Sequence, residues 1–480
     1  MWVDGAPRVA CVTPARRVAG RTVTTIEGLD AATRDRWADA FTACGASQCG
    51  FCTPGIIMRL AGLEARGATG ATDADAIGQA LLAHLCRCTG WRTILDAAKL
   101  ASSPPHPSPP PRDAAAAALR ASIEGRTPQR VGPEVALGGG GFADDSAPPD
   151  ALVAVPDGRG GWAVAETLSE ARAVAAKVQG RRTTLDPSWP IPLPEGDWDL
   201  TLATTWVEPA YLETDASWCA PGGEPVTPLG NGGAFGGKLD SVVPAAARQL
   251  ADHHGRPVRV LLSREDCVRM GPKRPPLAAG LRADGTGVVR VARTAGVADA
   301  VASVAPGLSV EEVDVAGPPT SVDVRGAGWA EAAALVGVLE ARAAGRRNVH
   351  VRSPDGSEAE AEILAAGGVR IRVSCGDPLD EVVLRSYCIG AAHMALGWVR
   401  TEGVAVDAEG VVHDLTIRSF GILRARDMAE VDVEIASAEG APVNGSDAVF
   451  AAVAGAAWLA DGLPGRWPHQ RDAGATAGQP

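Results

Sequence analysis

An α+β architecture follows from three features of the sequence. Residues 32–101 carry apolar residues at helical spacing and four grouped cysteines. A proline-rich run follows over 102–130. From 131 to 464 strand-like and helix-like segments alternate, which describes a mixed α/β domain. The reading is therefore a small all-α domain of four helices, a linker and a larger α/β domain. Residues 1–31 precede it, and 465–480 read as a disordered tail because they show no apolar period.

Each element has its own signal. Trp37 and Phe41 stand one helical turn apart. Thr53 as N-cap and Pro54 as first helical residue start a helix with Ile56, Ile57, Leu60 and Leu63 on one face, ended by Gly67. Thr72 is expected to cap the next, whose stripe is Ile77, Leu81 and Leu85. Trp91, Ile94, Leu95 and Ala98 mark the fourth. Six prolines in "SSPPHPSPPPRD" (102–113) favour an extended spacer. Beyond it, "RPVRVLLS" and "GVRIRVSC" read as strands, and "SVVPAAARQLADHH" and "WAEAAALVGVLEARA" as helices. "AVFAAVAGAAWLA" (448–460) is too short to span a bilayer and reads as a buried helix.

Composition narrows the function classes. Hydrophobic residues at 46% and charged residues at 21% fit a globular protein long enough for several cores. A net charge of −12 argues against nucleic acid, which demands clustered Lys and Arg. The start "MWVDGAPRVA" lacks a secretory pattern, so a cytoplasmic location without membrane attachment is expected.

The chemistry starts with cysteine. "QCGFCTPG" puts Cys49 and Cys52 just before a helix, and "HLCRCTGW" puts Cys86 and Cys88 just after another. Both loops can lie at one end of a bundle, where four thiolates suit an iron–sulfur cluster or a structural zinc. Zinc sites usually repeat C-x2-C, whereas the second pair here is C-x-C. The flanking residues "ASQCGFCTPG" and "LCRCTGW" resemble the helical [2Fe-2S] domain of the xanthine dehydrogenase and aldehyde oxidase family of molybdenum hydroxylases. That resemblance covers residues 30–100. It implies a [2Fe-2S] cluster on Cys49, Cys52, Cys86 and Cys88, with Gln48 contacting a molybdopterin. Residues 1–31 then resemble the end of the family's plant-type [2Fe-2S] ferredoxin domain. Cys11 matches that cluster's last ligand, a role it can play only with an upstream segment; otherwise it is a small core residue.

The stretch "GNGGAFGGKLD" (230–240) spells G-x-x-x-x-G-K, one residue short of a phosphate-binding P-loop. Leu239 follows the lysine where a P-loop needs Ser or Thr, and no strand precedes it. With "YLETDASW" and "GRPVRVLLSREDCVRMGPKRPP", it resembles instead the family's molybdopterin-binding domain. The resemblance implies cofactor contacts from Ala234, Phe235 and Gly236, and from Arg325 in "VRGAGW". The family's catalytic glutamate is not matched: "APVNGSDAVFAAV" offers only Asp447, either a shortened base or a helix cap. The segment before the glycine loop is short, and Leu239 replaces a glutamate of purine-oxidising members. The resemblance thus implies that the α/β domain is a shortened molybdopterin-binding domain.

The function this implies is a molybdenum-dependent hydroxylase that oxidises an aldehyde or N-heterocycle, a small molecule, with water as oxygen source. Electrons would pass through [2Fe-2S]. Any FAD would sit on a partner subunit, since only the linker separates the two parts, and a homo-oligomer remains open. Two alternatives stand beside it: a non-catalytic iron–sulfur electron-transfer or assembly subunit, and a zinc-stabilised interaction protein.

Overall fold

The computed structural model describes residues 1–66, 73–103, 112–175, 185–227, 233–436 and 439–470. Gly67, Thr72, the proline run 104–111, the loop start 230–232 and the end 471–480 lie outside the described residues. The chain is α+β, as its patterning implies.

A small antiparallel sheet opens it, with β1 (Trp2–Val3) between β2 (Ala6–Pro7) and β3 (Val23–Thr24). Trp2 donates its indole N–H to the Met58 carbonyl at 2.7 Å, docking this sheet on the helical domain. That domain comprises α1 (Ala31–Ala43), α2 (Thr53–Glu64), α3 (Ala74–Ala80) and α4 (Arg92–Ser102). Asp30 caps α1 through Thr33 N–H, and Asp73 caps α3 through Ala76 N–H. In α2 the cap position falls on Cys52, one residue earlier than Thr53, and Pro54 still sits in the first turn, where its missing N–H costs nothing.

Two boundaries differ from the sequence reading. The stretch 102–130 is not all spacer: α5 (Ala114–Gly125) forms there, and α6 (Pro133–Ala136) follows. Alanine has the highest helix propensity, and Asp113 accepts from the N–H groups of Ala115 and Ala116. The tail also begins later than 465. β16 (Arg466–Trp467) pairs with β6 (Leu200–Thr204), and the fully buried Trp467 ring packs edge-on to Trp398 and Trp458, at 4.7 and 5.4 Å. Burial of one indole holds this end, a signal that has no period.

The larger part contains three sheets. The first has order β5-β4-β8-β7, from β4 (Leu152–Pro156), β5 (Trp162–Ala165), β7 (Ala216–Cys219) and β8 (Val258–Leu261). The second runs β11-β10-β9-β6-β16, with β9 (Leu277–Leu281), β10 (Gly287–Ala292) and β11 (Leu308–Val313). The third runs β12-β13-β14-β15, from β12 (Val349–Arg352), β13 (Glu358–Ile363), β14 (Val369–Ser374) and β15 (Val431–Ile435). Strands β12 to β14 alternate buried and exposed residues, as a sheet covered on one face should. Its buried face meets α13 (Ser446–Ala460). Helices α7 (Leu168–Val174), α8 (Val243–His254), α9 (Arg264–Met270) and α10 (Val297–Ala302) flank the sheets.

Two central helices, α11 (Trp329–Ala343) and α12 (Glu381–Arg400), pack with α13. Among the described residues α12 alone has the length and apolarity of a membrane span, and it is buried inside the protein. One hydrophobic core runs from Trp37 and Ile94 in the helical domain through α12 to α13 and β13. The helical domain and the larger part therefore share a core.

His393 lies in the middle of α12, fully buried, and burial pushes its imidazole down to about 4. An unfolded histidine titrates near 6.5, so between about 6.5 and 4 the unfolded chain binds a proton that the folded chain does not. Stability should fall as pH drops through that window, and His393→Gln should flatten the fall. Denaturant midpoints at pH 7 and pH 5 test this; equal slopes for both proteins would refute it.

Candidate functional site: the cysteine loops and the glycine loop

The structure brings the four cysteines together in two pairs. The Cys49 and Cys88 sulfurs lie 3.7 Å apart. Cys52 hydrogen-bonds Cys86, which also meets Thr89 Oγ1 at 3.1 Å. Sharing the Cys52 proton lowers the Cys86 thiol to about 6 and raises Cys52. Cys49, Cys86 and Cys88 are buried, and Cys52 is half-buried at the N-terminus of α2.

Two thiolates bound to one tetrahedral metal at about 2.3 Å stand roughly 3.7 Å apart. Among the described residues no three Cys, His, Asp or Glu side chains converge on one point. Two pairs, each able to hold one metal, match a binuclear cluster; a single zinc would gather all four sulfurs. Cys11 is exposed in a short 3-10 turn, outside the core that holds the four.

Gln48 links this centre to the next. Its Nε2 donates to the Cys88 carbonyl at 3.1 Å and to Ser386 Oγ at 2.9 Å, while its buried Oε1 has no hydrogen-bond partner. Ser386 belongs to α12, and the adjacent Tyr387 meets Phe235 edge to face at 6.0 Å. Gly390, one turn on, lies so close to the Cys88 carbonyl oxygen that a Cβ would overlap it.

The glycine loop is described from Gly233 onward. Phe235 is fully buried at φ +41°, and its carbonyl accepts from Arg325 N–H at 2.9 Å. Gly236 sits at φ +98°, with the Asp323 carbonyl where a Cβ would be, so glycine is required there. Ala234 packs in the core beneath the first large sheet. Lys238 forms a buried ion pair with Glu213, so the lysine that mimics a P-loop anchors the loop from within. Glu208 pairs with Lys273 at 2.8 Å, and Arg274 with Glu331 at 2.6 Å. Lys273 and Arg274 are therefore neither an exposed turn nor open to an outside anion.

Arg325 places its guanidinium 4.0 Å over the Phe235 ring and donates to Met394 Sδ and the Ser446 carbonyl, at 3.1 and 3.4 Å. Burial lowers it to about 10. Asp447 lies between two guanidiniums: Arg325 Nε is 3.3 Å from Oδ1, and Arg126 holds Oδ2. Asp447 is not the helix cap. Asn444 Oδ1 accepts the Asp447 N–H at 2.9 Å, and Glu124 accepts from Gly445 and Ser446 N–H at 3.0 and 2.9 Å. Ser446 Oγ, Asp447 Oδ1 and Arg325 Nε are buried without hydrogen-bond partners.

Sequence reasoning missed Glu124 and Arg126, which lie in the stretch read as linker. Their signal was the Arg120–Glu124 spacing of four in an alanine-rich helix, which forms a fully buried ion pair.

Residues 25–99 match the family described as "[2Fe-2S] binding domain". Over 96 residues, 20% of its length, the chain is 42% identical to a probable xanthine dehydrogenase subunit of Bacillus subtilis, of which it covers 54%. Over 95 residues it is 37% identical to the nicotine 6-hydroxylase small subunit of Paenarthrobacter nicotinovorans, covering 20% of this chain and 56% of that protein. The fold matches the aldehyde oxidoreductase of Desulfovibrio gigas at a TM-score of 0.66 and 13% identity, over 97% of this chain and 93% of that one. Residues 25–99 carry a [2Fe-2S] binding domain, and that part of the chain is similar in sequence to xanthine dehydrogenases and aldehyde oxidases. The chain spans about half the length of the two bacterial relatives it matches in sequence. Its sequence likeness to them rests on the domain that carries the four cysteines.

The second centre can be tested for a molybdopterin by its donors. Ser446 Oγ could donate to a polar, anionic group and Gln48 Oε1 could accept from an N–H or O–H of it, whereas Arg325 Nε already faces Asp447 Oδ1 at 3.3 Å. The cavity beside Gln48, lined by Ser47, Arg112, Gly132, Ser386 and Tyr387, measures about 10 Å³, room for one water. The donor set fits such a group; the space requires the lining side chains to move.

Proposed function

We propose that this chain is a molybdopterin-dependent oxidoreductase that oxidises an aldehyde or N-heterocycle and relays electrons through the thiol-bound cluster. The observation that carries the reading is α12: Tyr387 touches Phe235, Ser386 touches Gln48 and Gly390 seats Cys88, so one helix spans both centres. When bound, the molybdenum group would supply oxygen transfer from water and accept the electrons. Gln48 and Arg325 would hold it, with Phe235 and Gly236 shaping the wall beside it.

Asp447 would be the acid that takes a proton, at the Oδ1 that faces Arg325 Nε at 3.3 Å. Asp447→Asn should lower turnover about 10²- to 10⁴-fold while iron and molybdenum contents hold. Unchanged turnover would leave Asp447 as the ion-pair partner of two arginines. The acceptor would be another chain, such as one that bears FAD, in keeping with relatives named as subunits.

A second reading is an iron–sulfur electron-transfer or assembly subunit without catalysis. The small cavity and the neutralisation of Arg325 by Asp447 favour it. Metal analysis of anaerobically purified protein from a molybdopterin-making host separates the two. Iron with molybdenum supports the first; iron alone supports the second.

A further inference from the structure

We propose that the buried Arg87–Glu402 ion pair is a charge-neutral unit beside the cluster, so that removing either charge alone shifts the cluster's reduction potential. The inference rests on the reading that the four thiols hold a [2Fe-2S] group. Arg87 lies between Cys86 and Cys88 in the C-R-C turn. Its NH1 and NH2 donate to the two Glu402 oxygens at 2.6 and 2.7 Å, and its Nε donates to the Pro209 carbonyl at 3.0 Å. Both side chains are buried, 3% and 2% exposed. Gly233 of the glycine loop packs directly on the Arg87 stem, where a Cβ would overlap it. Glu402 follows α12, and Gly397 in that helix leaves room for its carboxylate.

This placement differs from that of the other buried pairs. Lys238–Glu213, Lys273–Glu208 and Arg274–Glu331 hold loops of the larger part, and none adjoins a cysteine ligand in sequence. Arg87 is bonded on both sides to a thiol-bearing residue and its side chain is buried, so its charge lies within one side chain's reach of the cysteine turn. Away from solvent, an unbalanced charge is felt over a longer range than at a surface.

Reduction of a four-thiolate cluster adds one electron and one unit of negative charge, and makes or breaks no bond. A paired Arg87 and Glu402 contribute opposite terms that nearly cancel. Removing one charge leaves the other to act alone, and the two removals act in opposite directions. Arg87 and Glu402 are thus positioning residues that touch neither substrate nor sulfur.

The test is a redox titration of the anaerobic full chain with dithionite as reductant, followed by visible absorption and EPR. Glu402→Gln should raise the reduced-to-oxidised ratio at the wild-type midpoint about tenfold, a shift of about 59 mV for one electron. Arg87→Gln should lower it by a similar factor, and the double variant should return to within about threefold. Shifts of the same sign, or unchanged midpoints with iron retained, would overturn the proposal. If the single variants do not fold, Glu402→Asp keeps the charge and loosens the pair. A smaller positive shift is then expected, and none overturns the idea. Wild-type protein that carries no iron–sulfur spectrum would instead refute the reading of the cysteines.

Discussion

Alanine at any one of Cys49, Cys52, Cys86 or Cys88 should take the chain from two irons, as the family name implies, to almost none. The four sulfurs stand as two pairs, so each metal depends on two thiolates, and among the described residues no third Cys, His, Asp or Glu joins a pair. Losing Cys86 or Cys88 should also expose the α12 side of the turn, because that turn is buried against Ile389 and Gly390. Cys11→Ala is the control. Cys11 is exposed and outside the core, so iron and acid-labile sulfide should be unchanged. Iron and sulfide assays with the visible spectrum of each variant decide it. Full iron in Cys52→Ala, the most exposed of the four, would show that the pairing is not the binding arrangement.

Gly390→Ala should be the most damaging single methyl group among the glycines of α12. Two effects compete. Alanine improves helix propensity by about 1 kcal/mol in a helix interior. Against this, its Cβ would overlap the Cys88 carbonyl oxygen, and neither neighbour can retreat, since α12 is buried on nearly every side. Overpacking of this kind costs about 1–3 kcal/mol, and losing the Gln48–Cys88 hydrogen bond adds about 1 kcal/mol. The net loss of about 2 kcal/mol should appear as an earlier urea midpoint, with cluster absorbance lost before helical signal. Gly55→Ala in α2 is the comparison: its Cβ would meet only His84 at 4.0 Å. There the propensity term acts alone, and stability should be level or slightly higher. Equal behaviour of the two variants would mean that α12 and the cysteine turn are not in tight contact.

Much of the framework was legible because its signals are local. The C-x2-C and C-x-C spacings, the Thr53-Pro54 helix start and the apolar run of α13 are each contained within a few turns of chain. The proline run hid α5, because prolines dominate the window while the alanines that form the helix come just after. The strand at Arg466–Trp467 was missed for the opposite reason: two residues hold no period, and one buried indole does the fixing.

The candidate site divides along the same line. Sequence alone singled out the candidates: the four thiols, Gln48 beside them, the glycine loop with Gly236, and Arg325 and Asp447. Tertiary structure decided what each one does with its charge. Asp447 could be a cap, a base or an ion-pair partner until Arg126, 321 residues earlier, reached its carboxylate. Lys238 stands where a P-loop lysine would, and Glu213 neutralises it; Arg87, between two cysteines, is closed on by Glu402. Residue type and spacing fix what a side chain can do. Burial fixes what it must do, because a charge taken out of water has to find its partner, and only the fold determines which partner arrives.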